Sequence, residues 1–273
     1  MSTIPLFNTE PAIAPLAKPT FDPATIGIKP STLNVRTKIM LGIQGPANSG
    51  KTESLFTFPN LIVANFDNGL QRHPEFQNDL RFHDAKWCKD NCAGRENARD
   101  AFEYWLEFKA KLIPSDWTLG VDTWTTLQDA FDIQTDKEPV TTSKGEVDEF
   151  AFWGRKQDYA RNVINMLKNL PCNVVVNFHE QPERDKKGNL TGQVNPLMQG
   201  RFVDKIPIYF SDFFRMTIKE KKEKKDGKDV VVDTEWHWQV KSDAVFKAKS
   251  RAMFDKTTYF VPANYSSLKY GTQ

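Results

Sequence analysis

Cysteine is scarce in this chain: three in 273 residues, Cys88, Cys92 and Cys172. An odd three makes no disulfide framework. Cys88 and Cys92, with His83 nearby, have half the makings of a metal clip, but no second Cys/His pair completes a structural zinc site. Reduced thiols are the expectation. Long apolar runs are missing as well. None approaches the ~20 residues of a membrane helix, so no membrane partner is expected. The stretch 1–30 holds prolines in place of a continuous apolar segment, which argues against a secretory signal and makes the cytoplasm the expected compartment. Excess charge is nearly absent too. The net value is +2, so any nucleic-acid contact has to be local. What is there is a composition, 39% hydrophobic and 26% charged, that can build a globular core. The length allows one large domain with appendages.

The most specific stretch is Gly45-Pro46-Ala47-Asn48-Ser49-Gly50-Lys51-Thr52. It has the form G-x-x-x-x-G-K-T of a phosphate-binding loop. A short apolar run, Lys38 to Ile43, precedes it and reads as a buried strand. Thr52-Glu53-Ser54-Leu55-Phe56 follows and can open a helix. In that setting successive backbone N–H groups converge on phosphate. The two glycines permit turns a side chain would forbid. Gly45 to Glu53 is therefore the candidate nucleotide-binding segment. Lys51 is placed to reach the β- and γ-phosphates of ATP, and the Thr52 hydroxyl to ligate Mg²⁺.

Other elements fall into place around this loop. Residues 1–35 hold six prolines, Pro5, Pro11, Pro15, Pro19, Pro23 and Pro30, and read as an extended arm. Leu61 to Phe66 reads as a second buried strand ending in Asp67. A carboxylate there faces the crevice of an open α/β sheet and can orient or deprotonate an attacking water; a turn aspartate beside Gly69 is the plainer alternative. Residues 71–96 show no clear period and suggest loops with an edge strand. Asn97 to Leu112 is an amphipathic helix with Ala98, Ala101, Phe102, Trp105, Leu106 and Leu112 on one side. Trp117 to Thr123 is a third strand, and Asp122 near its end is the candidate Mg²⁺ holder with Thr52. Helices are expected over 124–134 and 153–170, with a polar loop over 135–148 between them. A β-branched strand, Cys172 to Phe178, ends at His179-Glu180, where His179 could sense a γ-phosphate.

The C-terminal part carries the local basic candidates. Residues 181–199 lack a hydrophobic period and read as a basic loop, with Arg184, Lys186 and Lys187 as candidate nucleic-acid contacts. A hairpin is expected over about 213–240 around Asp226-Gly227. Lys247-Ala248-Lys249-Ser250-Arg251 is a compact cationic cluster. The alternation of strands and helices predicts an α/β fold with a mainly parallel sheet. The expected division is an arm over 1–35, an ATPase domain over 36–262 and a tail over 263–273.

In this order the motifs resemble those of phage RecA-like P-loop ATPases, in particular the Sak-type single-strand annealing group. The P-loop comes first, then a strand ending in a carboxylate, a Walker-B-like strand, Asn177-Phe178-His179-Glu180, a loop, and Lys247-Ala248-Lys249-Ser250-Arg251. The likeness spans about 38–260. That family tends to carry D-T-E after the second strand where this chain has Asn65-Phe66-Asp67, one methylene shorter at the carboxylate. The resemblance implies a RecA-like core that binds and hydrolyses ATP with Mg²⁺, binds single-stranded DNA and acts in recombination as a ring or filament, with a single-strand binding protein as a possible partner. It also implies that His179 is a γ-phosphate sensor and that Lys249 and Arg251 are cations offered to a neighbouring subunit's nucleotide. Phe21 and Ala24, in an F-x-x-A segment like that of eukaryotic RecA-like recombinases, would dock the arm on a neighbour. Two alternatives stay open: an ATP-gated single-strand binder with negligible hydrolysis, and a small-molecule phosphotransferase.

Overall fold

The computed structural model describes residues 38–268 apart from 199, 226 and 227. The arm over 1–35, with Phe21 and Ala24, lies outside the described residues, as does the Asp226-Gly227 turn.

The P-loop strand is β1 (Met40–Gly45), and every residue of it is buried. It runs two residues later than the sequence suggests. It is paired on both edges and covered on both faces, which an apolar parallel strand requires. After the loop comes α1 (Lys51–Leu55), then β2 (Leu61–Asn65) and the short edge strand β3 (Asp79–Arg81). A helix that no apolar period announces follows, α2 (Ala85–Asn91). The Asp84 carboxylate caps it, accepting from the backbone N–H of Lys86 and Trp87.

Next comes α3 (Ala98–Phe108), capped by the Asn97 side chain. It buries Ala101, Phe102, Trp105 and Leu106 as expected. Leu112 does not join them and is 81% exposed, because the helix ends at Phe108 and the chain tightens into a 3₁₀ turn. Then follow β4 (Thr118–Asp122), α4 (Trp124–Asp136) and α5 (Glu149–Lys168). The last begins earlier than its apolar stripe, capped by Asp148.

The basic stretch after His179 is not a loop. Strand β5 (Asn173–Arg184) runs straight through His179 and returns as β6 (Leu190–Pro196). Asp185 shapes the turn, accepting from the backbone N–H of Lys187 and Asn189. A 3₁₀ segment, Gly200–Tyr209, leads to a long hairpin of β7 (Asp212–Lys225) and β8 (Lys228–Gln239). Finally β9 (Phe260–Pro262) pairs with β8.

The sheet order is β3-β2-β4-β5-β1-β7-β8-β9, with β6 on β5. The strands from β3 to β7 along this path are parallel, while β8 and β9 add antiparallel. The architecture is thus a mixed α/β fold with a mostly parallel central sheet, as expected of a P-loop core, and the hairpin stands where expected. One face of the sheet packs on α3, α4 and α5 through Phe102, Phe131, Val163, Phe178 and Phe213. The other packs Leu41, Ile43, Leu55, Met216 and Trp238. Gly42 makes room at the centre, since a Cβ there would lie 2.4 Å from the Phe213 ring. Among the described residues no helix is long and apolar enough to cross a membrane.

Candidate functional site

Strand β1 stops at Gly45, opposite His179 of β5. Its neighbours do not stop there. The β5 strand continues through Glu180 to Arg184, and β7 continues past Arg215 to Lys225. The loop Pro46–Gly50 therefore lies in a gap between two longer strands. A cleft of about 480 Å³ opens there, lined by Ala47 to Glu53, Asp67, Asp122 and His179. That volume falls within the ~300–1,000 Å³ usual for ligand sites.

The loop has the backbone for phosphate. Asn48 has φ 59° and Gly50 φ 86°, a winding that turns successive N–H groups inward. Lys51 is buried, and its ammonium donates to the carbonyls of Gly45 (3.0 Å) and Pro46 (2.6 Å). Burial pulls its pKa down to about 8, against the upward pull of Asp122, Glu180 and Asp67. A cation held over its own loop by carbonyls alone fits exchange of those carbonyls for phosphate oxygens.

Thr52 Oγ1 donates to Asp122 Oδ2 at 2.7 Å. The other carboxylate oxygen accepts from Asn177 Nδ2 at 3.0 Å. Asp122 is buried; desolvation first, and then the nearby Asp67 charge, raises its pKa. A hydroxyl and a carboxylate meeting beside a phosphate loop are the hard oxygen donors that Mg²⁺ takes. Asn177 and His179 reach this corner because β5 is inserted between the P-loop strand and the strand of Asp122. His179 lines the cleft, and burial, then Lys51, lowers its pKa. Asp67 is exposed on the cleft rim and accepts from the Gly69 N–H. Glu53 also lines the rim and pairs with His73 at 3.3 Å.

The profile of the AAA domain family matches residues 37–252, most of the chain and all of this cleft. The chain belongs to the AAA domain family. This AAA domain is accordingly a P-loop protein of the nucleotide-binding ATPase kind, a kind that typically uses Mg²⁺. No curated protein matches the chain.

Not all sequence candidates meet in the cleft of the AAA domain. Lys249 pairs backbone to backbone with Phe213, which lies beside Gly42 and not beside the P-loop end of β1. Its ammonium donates to the carbonyls of Pro207, Ile208 and Phe210, capping the 3₁₀ segment. All three N–H groups are engaged within the chain, so offering Lys249 to a neighbour's nucleotide would require giving these bonds up. Burial, then Arg251, lowers its pKa. The Arg251 backbone N–H donates to Asp212, and its side chain is exposed. Arg184, Lys186 and Lys187 sit at the exposed tip of the β5–β6 hairpin, away from the cleft; Arg184 donates to the Gly188 carbonyl.

The site also holds residues that the sequence pattern did not single out. Arg215 of β7 makes a two-pronged bond to Glu180 of β5, both arms 2.8 Å, across the gap above the end of β1. Trp236 of β8 lies on the P-loop. Its indole is 44% exposed in the cleft, and a Cβ on Gly50 would come within 2.6 Å of it. Glycine at 50 is thus required twice, by its φ and by this ring. Gln44, next to the loop, is fully buried. One signal was available: Asn177, an amide in the middle of a β-branched strand, is out of place in a core unless something uses it.

Proposed function

We propose that this AAA domain is an ATP- and Mg²⁺-dependent, RecA-like phage recombination protein of the Sak type, which binds single-stranded DNA and works as an oligomer in the host cytoplasm. The observation that carries the reading is the pair of lysine-bearing β-hairpins that spring from the two strands flanking the P-loop strand. Both prongs begin at the nucleotide cleft, so a change there can be passed to both. On this reading Gly45 to Glu53 hold the triphosphate, Thr52 and Asp122 the Mg²⁺, and Asp67 orients the attacking water. His179 stands where loss of the γ-phosphate would be felt. Arg184, Lys186 and Lys187 meet the phosphate backbone from one hairpin tip. The lysines of β7 face solvent on the other.

The ATP-gated binder with negligible hydrolysis is the second reading, and two contacts favour it. Asp67 is solvent-exposed and already accepts from Gly69. Glu180, a further carboxylate near Lys51 besides Asp122, is held by Arg215. ATP turnover with and without single-stranded DNA, alongside native mass, separates the two. Stimulated turnover in an assembled species supports the first. DNA binding that depends on ATP without turnover supports the second, and neither activity rejects both.

A further inference from the structure

A second, smaller cavity of about 160 Å³ lies on the helix-covered side of the sheet, at the foot of the β5–β6 hairpin. Its walls are the rings of Phe213, Phe246, Pro196 and Pro207. The two phenylalanine rings lie 6.2 Å apart at 32°. Gln44 lines it from β1 and is 0% exposed. Its Nε2 reaches the Val194 carbonyl at 3.4 Å, while its Oε1 accepts no hydrogen bond among the described residues. A buried amide oxygen left unpaired among apolar rings needs an explanation. It suits a ligand that brings a donor.

We propose that this cavity takes one nucleobase from a bound single strand, its amino group donating to Gln44 Oε1. The inference rests on the DNA-binding reading above and deepens it. The volume is about half the ~300 Å³ at which sites for drug-sized ligands begin. A single flat ring system fits, and a whole nucleotide does not. Apolar rings on one side and polar side chains, Gln44 and Asn195 among them, on the other match an extruded base, which has a flat face and a polar edge. The mouth sorts the same way. Asp204 is exposed there, and the Glu183 carboxylate takes the Thr191 hydroxyl at 2.6 Å, so the acids keep phosphate out of the cavity. Lys247 on the rim and the cations of the hairpin tip keep the backbone outside but near. An amide contacting an amino-bearing base is a familiar pairing in nucleic-acid recognition. Gln44 directly precedes Gly45, so the cavity and the P-loop share strand β1.

The test uses the full chain with ATP and Mg²⁺ and fluorescently labelled homopolymers of dA, dC and dT of equal length, read by anisotropy. The expected result is about tenfold tighter binding of dA and dC, which carry amino groups, than of dT, the size of one good base contact. Gln44→Leu should erase that preference. If Gln44→Leu does not fold, single abasic positions placed along dC and measured on the unaltered protein should reproduce the loss. Equal binding of all three strands together with no abasic effect overturns the base pocket and leaves DNA binding intact. Absence of binding to every strand at low salt overturns both. Protection of the protein by arginine amide, abolished in Gln44→Leu and without base preference, would assign the cavity to a protein guanidinium and also overturn the proposal.

Discussion

Lys51 is held between opposing effects: burial favours the neutral amine, and three carboxylates favour the ammonium. With a pKa near 8 in the free protein, the ammonium that meets phosphate is fully present well below pH 8 and is lost as pH rises through it. Nucleotide affinity should therefore fall above about pH 8, with proton uptake on binding there. Calorimetry in two buffers of different ionisation heat reads both. Lys51→Ala should remove turnover from a chain that keeps its circular dichroism and melting transition. Asp67 gives a different expectation. It makes no contact with Lys51 or Thr52 among the described hydrogen bonds and sits at the rim, so its role would be confined to the attacking water. Asp67→Asn should retain ATP binding and lose turnover by about 10²–10⁴-fold, the usual worth of a positioned base. Turnover at the parent rate would leave the role to another group.

Elements were readable in the sequence where their rule is local. The strands β1, β2 and β4 are short apolar runs, and α3 shows its stripe at helical spacing. The second half of β5 was not readable. Glu180 to Arg184 carry no apolar alternation, and what keeps them extended is remote: β6 on one edge and the Arg215 guanidinium from β7. The Lys249 contacts were hidden for the same reason, since their acceptors lie some forty residues back along the chain. Arg215→Leu tests the strut. It strands a largely buried Glu180 and should cost about 3 kcal/mol, the low end for breaking such a pair because Arg215 is partly exposed. Urea denaturation measures that loss, and Glu180→Gln in the same background should recover part of it. The hairpin tip makes an independent prediction. Replacing Arg184, Lys186 and Lys187 should weaken single-strand binding and flatten its salt dependence, by about 0.7 in the log–log slope for each phosphate no longer neutralised. An unchanged slope would shift the interface to the β7–β8 prong.

At the scale of the whole molecule, the AAA domain presents Arg251 on its surface while Lys249 is engaged within the chain. If subunits complete one another's sites, Arg251 is, with the exposed Lys247, a cation of that cluster able to do it. Mixing Lys51→Ala with Arg251→Ala, each inactive alone, should restore part of the turnover in species that native mass shows to be mixed. A cation on the γ-phosphate is worth about 10³-fold or more, so even a minority of intact interfaces would be visible. No recovery in mixed species would confine Arg251 to its own subunit. The sheet order also bears on how the chain is made. Strand β1, buried along its whole length, pairs with β5 and β7, and Gly42 meets its partner Phe213 some 170 residues later. At ~5–20 residues per second, ribosomes need roughly 10–35 s to supply that partner. Throughout that interval Met40 to Ile43 emerge as a bare apolar segment whose β7 edge has nothing to pair with. The growing chain is therefore a natural client for chaperones, and nascent chains arrested before residue 212 should stay protease-sensitive at β1.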